Sequence, residues 1–146
     1  GHLGASLYAR EWLGLKGEEL GPPPPVDLAT EVHHSELVRG LIERGLVTAV
    51  HDVSEGGVAC AAAEMALSNG TGVQLDDTVS STPSAMFGER GASFLIAVSP
   101  EIIRQYHVET EQSVRVGEFG GDSILGVPLG TLRAAHEGWL PRYMKG

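Results

Sequence analysis

The sequence predicts an α+β fold in which helices cover a mixed β-sheet. Two apolar runs of strand length, at residues 46–50 and 94–98, are rich in β-branched and aliphatic side chains. Two longer segments, at residues 28–44 and 58–67, carry apolar residues at helical spacing or are rich in alanine. The strands and helices do not alternate strictly along the chain, so we expect a mixed sheet rather than a regular parallel one.

The chain is expected to form a single domain with three parts. Its 146 residues are 42% hydrophobic and 20% charged, which suits one globular core. We predict a lead-in segment with a short helix at residues 3–20, a connector at residues 21–26 and a main α/β body at residues 27–146. Gly21 and the four prolines that follow it make the connector stiff and extended.

The first half of the body is predicted to contain two helices and two strands. Asp27 is placed to cap the first helix, and Gly45 supplies its end. Leu46–Val50 follows as a buried strand, and Val58–Leu67 is an Ala-rich helix. Glycines then end this helix, and Val73–Leu75 resumes as a short strand.

The second half is predicted to add one central strand, one hairpin and three helices. Phe94–Val98 is an unbroken apolar run bounded by Gly91 and Pro100, as a central strand should be. The turn Gly120–Asp122 predicts a hairpin between the segments that flank it. The hairpin segments and the helices are predicted at Val114–Phe119, Ser123–Val127, Pro83–Phe87, Pro100–His107 and Leu132–Tyr143, the last interrupted by Gly138 and Pro141.

The formal net charge of −9 argues against nucleic acid as a partner, because the sequence has no Lys/Arg cluster to neutralise phosphates. No apolar run approaches the about 20 residues of a membrane helix, and the start of the sequence lacks a signal-peptide pattern. We therefore expect a soluble, cytoplasmic protein with no membrane partner. Cys60 is the single cysteine, so no internal disulfide forms, and its Ala-rich surroundings favour a small buried side chain.

The run His51–Gly57 predicts a strand that leads into a glycine turn and then into a helix. Such turns aim several N–H groups at one point, where phosphate or carboxylate binds. From the residues alone, a tight turn with a close helix crossing, or a Ser54 N-cap, explains the same run. Asp52 and Glu55 are candidates to order the loop, to bind a metal-bridged phosphate or to cap the helix. His51 is either a structural group or a contact to Asp52 or to ligand.

Four further residues that suggest other chemistry receive a structural interpretation. His33 and His34 are adjacent on a predicted helix, so their side chains point about 100° apart, and no third ligand follows at metal-binding spacing. We expect both side chains to lie on a solvated helix face. Trp12 and Trp139 are expected to be core or interface anchors rather than ligand platforms. We expect no catalytic residue and no metal ligand in the chain.

Five motifs, taken in order, resemble one enzyme family. They are Leu-Gly-Ala-Ser-x-Tyr from Leu3, the proline-rich connector, the run from His51 to Ala66, Met-Phe-Gly-Glu-Arg ending at Arg90, and Val-Gly-Glu-Phe-Gly-Gly-Asp ending at Asp122. Together they resemble the C-terminal domain of phosphoribosylformylglycinamidine synthase. That enzyme is the synthetase subunit of formylglycinamide ribonucleotide amidotransferase, in the aminoimidazole ribonucleotide synthase-like superfamily.

The resemblance implies an ATP-dependent carbon–nitrogen ligase of de novo purine synthesis. Family members activate the glycinamide carbonyl oxygen of formylglycinamide ribonucleotide with ATP and Mg²⁺, and ammonia from glutamine then displaces the phosphate. The implied partners are N-terminal-type nucleotide-binding domains of the same enzyme and a glutaminase. A chain of 146 residues has no room for those parts, so we expect it to be inactive alone and to hold neither ATP nor Mg²⁺ tightly. Self-association of the isolated chain is left open.

The residues implied to contact ligand or phosphate are Asp52, Ser54, Glu55, Gly56, Gly57, Glu89 and Arg90. Family members usually continue Phe-Gly-Glu with Ser and then a small or polar residue, whereas here Arg90-Gly91-Ala92 follows. The motif is therefore expected to serve the substrate site, an auxiliary nucleotide site or the domain interface. Two other functions stay open: a nonenzymatic docking module, or a domain of a relative such as a selenophosphate synthetase or a hydrogenase maturation protein.

Overall fold

Short strands form two sheets, with helices packed around them, in the computed structural model, which describes residues 1–106 and 113–145. The strands are β1 (Ala49–Asp52), β2 (Val73–Leu75), β3 (Phe94–Ala97), β4 (Gly117–Phe119), β5 (Ser123–Ile124) and β6 (Val127–Pro128). The helices are α1 (Leu28–Glu43), α2 (Gly57–Asn69), α3 (Asp77–Ser80), α4 (Pro83–Met86), α5 (Pro100–Tyr106) and α6 (Leu129–Met144). The lead-in segment contains a π-helical turn at Tyr8–Trp12 and a 3-10 turn at Gly17–Leu20.

The two sheets differ in size and in strand direction. Strands β1 and β3 form an antiparallel ribbon in which His51 lies opposite Leu95. The second sheet has the order β4-β2-β5-β6. In it β2 runs antiparallel to β4 and parallel to β5, and β5 runs antiparallel to β6. The predicted α+β class with mixed strands is confirmed.

Helix α2 is the layer that joins the two sheets, since it contacts β1, β2 and β3. Its inward side chains are small, and Ala66 is fully buried. Alanines let the helix approach the strands closely, so a short helix reaches both sheets at once. The buried core cluster consists of Val53, Ala61, Ala62, Met65, Ala66, Val73, Leu95 and Ile124.

The predicted hairpin after residue 114 is wrong. Its first strand is shorter than predicted and begins at Gly117, and β4 does not pair with β5, because β2 lies between them. The backbone of Gly72 inserts into the turn, where its N–H donates to Gly121 O at 2.9 Å and its carbonyl accepts from the Gly120 N–H at 2.8 Å. A side chain at Gly72 would collide with the backbone of Ser123, so a glycine permits this insertion.

The predicted central position of β3 is also corrected, because within the described residues β3 pairs only with β1. A continuous apolar run shows that a strand is covered on both faces and does not show how many neighbours it has. Helix α5 is described as far as Tyr106, and the predicted end at His107 lies outside the described residues.

Helix α6 begins at Leu129, earlier than predicted, and continues to Met144 without a break. Pro141 lies in the exposed last turn, where the loss of one backbone hydrogen bond is tolerated. Trp12 and Trp139 are 76% and 60% exposed, so the core alternative is excluded for both, and the interface alternative stays a prediction. Among the described residues, no helix is long and apolar enough to cross a membrane.

Candidate functional site

The glycine turn lies where the sequence predicts it, between the end of β1 at Asp52 and the start of α2 at Gly57. Gly56 and Gly57 have φ angles of +78° and +66°, in the left-handed region that favours glycine. The predicted Ser54 side-chain cap is wrong, because no side chain caps α2. The backbone carbonyl of Ser54 accepts the Gly57 N–H at 3.1 Å instead.

Both glycines are required by close packing. A Cβ on Gly57 would lie 2.7 Å from Met86 O and 2.9 Å from Gly88 O. A Cβ on Gly56 would collide with Cys60 Sγ. The turn therefore brings the start of α2 against the segment after α4, and the close-crossing interpretation of the two glycines is confirmed.

The anion at the turn is a carboxylate of the chain itself. Glu89 Oε1 accepts the Gly56 N–H at 3.0 Å and the Leu7 N–H at 2.7 Å. Glu89 is only partly exposed, so its charge is concentrated on these two donors. Sequence reasoning selected Glu89 and Gly56 but missed Leu7, which contributes a backbone N–H that no residue pattern reveals.

Three of the predicted site residues are exposed on the turn. They are Asp52, Ser54 and Glu55. His51, just before them, links β1 to α2, because its Nε2 lies 2.9 Å from Glu64 Oε2 and its Nδ1 donates to the Asp52 carbonyl at 2.7 Å. Asp52 Oδ1 is 3.8 Å from His51 Nδ1. His51 therefore has a structural role and also contacts Asp52, and a contact between His51 and ligand stays a prediction.

Arg90 follows Glu89 and is exposed. It borders a cleft of about 310 Å³ between the proline-rich connector and the start of α1, whose lining includes Asp27 and Glu31. It also borders a mostly apolar cavity of about 470 Å³ that includes Val53 and Val58 beside the turn.

Cys60 lies under the turn as a partly buried thiol. Burial raises its pKa, and the negative charges of Glu64 and Glu89 raise it further. The thiol therefore stays protonated near neutral pH and is a poor nucleophile. This agrees with the structural role that the sequence predicts for it.

The paired histidines of α1 have different surroundings. His33 is exposed, whereas His34 is partly buried and its Nδ1 donates to the Ala92 carbonyl at 2.6 Å. The expectation of two solvated side chains is therefore corrected for His34, which anchors α1 to the segment before β3. In the part of the chain that the structure describes, no three His, Cys, Asp or Glu side chains are grouped so that they could hold a metal ion.

The mixed sheet and the unit formed by β1, the glycine turn and α2 define an α+β domain. The glycine turn of this domain exposes polar side chains to solvent. The chain belongs to the family described as AIR synthase related protein, C-terminal domain, which it matches over residues 1–118. The predicted family resemblance is confirmed. The last helix, α6, lies beyond the matched region.

Whole-chain similarity extends to a longer enzyme subunit. The chain is 46% identical over 152 residues to the phosphoribosylformylglycinamidine synthase subunit PurL of Caulobacter vibrioides, covering 99% of this chain and 20% of that protein. It is 41% identical over 161 residues to the subunit of the same name from Mesorhizobium japonicum, covering 98% of this chain and 21% of that protein. The chain thus spans about a fifth of the length of these curated relatives.

Proposed function

We propose that the chain serves as the C-terminal domain of an ATP-dependent phosphoribosylformylglycinamidine synthase, a ligase of de novo purine synthesis that acts in the cytoplasm. The observation that carries this proposal is the 41–46% identity to two such subunits over 98–99% of the chain. A nonenzymatic docking module, or a domain of a selenophosphate synthetase or hydrogenase maturation protein, is less favoured, because both relatives are named as phosphoribosylformylglycinamidine synthase subunits.

In the proposed reaction, formylglycinamide ribonucleotide becomes formylglycinamidine ribonucleotide. A phosphoryl group from ATP makes the glycinamide carbonyl oxygen a leaving group, ammonia adds to the same carbon, and phosphate departs. Mg²⁺ supplies charge neutralisation during phosphoryl transfer. We assign the tight binding of ATP and Mg²⁺ to other parts of the enzyme, as the family resemblance implies. The partners of this domain are then the N-terminal-type nucleotide-binding domains and a glutaminase.

We assign the predicted site residues two separate tasks. Gly56, Gly57 and Glu89 shape the turn, as their packing and hydrogen bonds support. The exposed Ser54 hydroxyl and the Arg90 guanidinium are donors suited to phosphate oxygens. The exposed carboxylates, Asp52 and Glu55, are acceptors suited to ribose hydroxyls or to a metal-bridged phosphate. The domain thereby forms one wall of a ligand cleft and carries no catalytic residue of its own.

A domain exchange tests this function. This chain replaces the matching fifth of the Caulobacter vibrioides subunit, and ammonia-dependent ADP release is measured with formylglycinamide ribonucleotide. We expect the exchanged enzyme to retain activity and the isolated chain to have none. A folded, soluble exchange product without activity would overturn the proposal, as would activity of the isolated chain.

Two variants of the exchanged enzyme test the ligand wall. Ser54→Ala and Arg90→Ala are expected to raise the KM for one ligand by about tenfold, the usual effect of removing one charge-assisted or phosphate hydrogen bond. Glu18→Ala, an exposed carboxylate in the lead-in segment, is the matched control and leaves KM unchanged. The ligand whose KM rises identifies the cleft, and unchanged KM values for both ligands would remove these residues from it.

A further inference from the structure

The Glu89 residue joins the glycine turn to the lead-in segment through both its side chain and its backbone. One carboxylate oxygen accepts the N–H groups of Leu7 and Gly56, at 2.7 and 3.0 Å. The Glu89 backbone forms an antiparallel bridge with His2, in which the His2 N–H donates to Glu89 O at 3.1 Å and the Glu89 N–H donates to His2 O at 2.9 Å.

The carboxylate lies where the sequence predicts an external anion. The N–H groups at the start of a helix carry partial positive charge and lack partners inside the helix. Here Gly56, the N-cap residue of α2, donates to Glu89 instead of to a bound phosphate. A second anion at the same N–H would meet a negative charge at contact distance.

We propose that Glu89 is the resident anion of the glycine turn, and that it couples the turn to the lead-in segment. It closes the turn to external phosphate and holds residues 2–7 against the body. An external anion at Gly56 and a docked Leu7 therefore exclude one another. This coupling depends only on the contacts of the turn, so it holds whichever reaction the longer protein carries out.

The shared oxygen is the physical basis of the coupling. Because Glu89 Oε1 serves both donors, withdrawal of this carboxylate from Gly56 also breaks its hydrogen bond with Leu7. The next contact along the lead-in segment is the Tyr8–Phe87 stack, with ring centroids 5.3 Å apart and planes 14° from parallel. Phe87 lies two residues before Glu89, so release of the carboxylate loosens this stack as well.

Amide hydrogen exchange of Glu89→Ala tests the proposal in the intact chain. Without the carboxylate, the amides of Leu7 and Gly56 are expected to exchange at least about tenfold faster, as for the loss of a hydrogen bond to a charged group. Acetate or formate, which fit the space left by the side chain, are expected to restore much of the protection. Chloride at the same ionic strength does not, because it lacks the planar carboxylate geometry.

The matched control is Glu64→Ala. It also removes a carboxylate near Cys60, but this carboxylate pairs with His51 rather than with the turn. It is expected to leave exchange at Leu7 and Gly56 unchanged. Unchanged exchange in Glu89→Ala, or acetate acting no better than chloride, would overturn the proposal. If Glu89→Ala does not fold, Glu89→Gln keeps an acceptor without the charge, and faster exchange at the two amides is again required.

Titration with inorganic phosphate, followed by the amide resonance of Gly56, is a second and independent test of the proposal. In the wild-type chain, millimolar phosphate is expected to leave the Gly56 amide resonance unmoved, because the turn is already filled. In Glu89→Ala, phosphate is expected to shift that resonance. A shift of the Gly56 resonance in the wild-type chain, with Leu7 still protected, would show that the turn admits an external anion without releasing the lead-in segment, and the coupling would be refuted.

Discussion

Gly57 combines two structural requirements in one residue. Its φ of +66° lies in the left-handed region, and its missing side chain makes room for the backbone at Met86 and Gly88. A left-handed conformation costs an L-residue about 1–2 kcal/mol, and forcing atoms into a packed site costs about 1–3 kcal/mol more. The second cost is absent at Gly70, where φ is +72° and nothing lies within 4 Å of the added Cβ.

The comparison of these two glycines gives the first prediction. Gly57→Ala is expected to lower the free energy of unfolding by about 2–5 kcal/mol, whereas Gly70→Ala lowers it by about 1–2 kcal/mol. Urea unfolding followed by circular dichroism measures both. Equal losses for the two variants would show that the backbone at Met86 and Gly88 moves aside, and that packing does not fix the turn.

Much of the glycine turn could be predicted from its residues, because glycine and alanine reveal where backbones approach. The contact between Glu89 and Leu7 could not be predicted. The donor is the backbone N–H of Leu7, and because every non-proline residue has such a group, the sequence does not indicate which one Glu89 binds. The same limit applies to His34, whose acceptor is the backbone carbonyl of Ala92. Hydrogen bonds between side chains and backbone groups that are distant in the sequence are therefore the part of this site that could not be predicted from the sequence.

At the scale of single elements, helix α1 shows a cap that responds to pH. Asp27 Oδ1 accepts the N–H groups of Ala29 and Thr30, each at 3.1 Å, and the Thr30 hydroxyl donates to Oδ2 at 2.8 Å. The backbone hydrogen bond from Thr30, followed by its hydroxyl, lowers the pKa of Asp27 below its ordinary value. The ionised carboxylate is thus preferred in the folded state.

The sign of the pH dependence follows from this lowered pKa. The contribution of the charge to stability is complete above the unfolded-state pKa of about 3.9, and it is lost as the pH falls through the lower folded-state value. Asp27→Asn, which keeps an acceptor but no charge, is expected to be less stable than the wild type at pH 7. The difference in thermal midpoint should vanish in strong acid. A difference that persists unchanged to pH 2 would contradict the assignment.

Helix α6 packs Leu129 and Leu132 against the core cluster and is also attached to α2 by one charged side chain. Arg133 Nη2 donates to the carbonyl of Leu67 near the end of α2 at 2.6 Å, and Nη1 contacts Glu137 Oε1 at 2.7 Å. A cation at the C-terminal end of α2 also interacts favourably with the negative end of the helix dipole. Arg142 is a natural comparison, because within the described residues its Nε donates inside α6, to the carbonyl of Gly138.

Removing the Arg133 side chain is therefore expected to loosen α6 from α2. Arg133→Ala should cost about 1 kcal/mol and speed amide exchange in the first half of α6, while Arg142→Ala changes stability by less than about 0.5 kcal/mol. Hydrogen exchange followed by mass spectrometry resolves the two helices. Faster exchange in Arg142→Ala than in Arg133→Ala would show that α6 is held by other contacts.

At the scale of the whole molecule, the class of fold was easier to predict than the order of its strands. Helix α2 and strand β3 are clear from apolar and alanine-rich runs, and both form where predicted. The separation of β4 from β5 depends on β2, about forty residues earlier in the chain, whose Gly72 enters the turn. A local turn pattern contains no information on a strand that inserts from elsewhere.

The shared position of α2 predicts that both sheets unfold together. Met65 belongs to the core cluster, which combines residues from the turn, β2, β3 and β5, and its side chain is 8% exposed. Met65→Ala is expected to lower the free energy of unfolding by about 2–5 kcal/mol, whereas Met144→Ala, at a position 77% exposed, has little effect. Urea titration with amide resonances from His51 in β1 and Gln74 in β2 should give one midpoint, shifted equally in Met65→Ala. Two separate midpoints would mean that the β1–β3 ribbon and the four-stranded sheet are independent units, and that α2 stabilises only one of them.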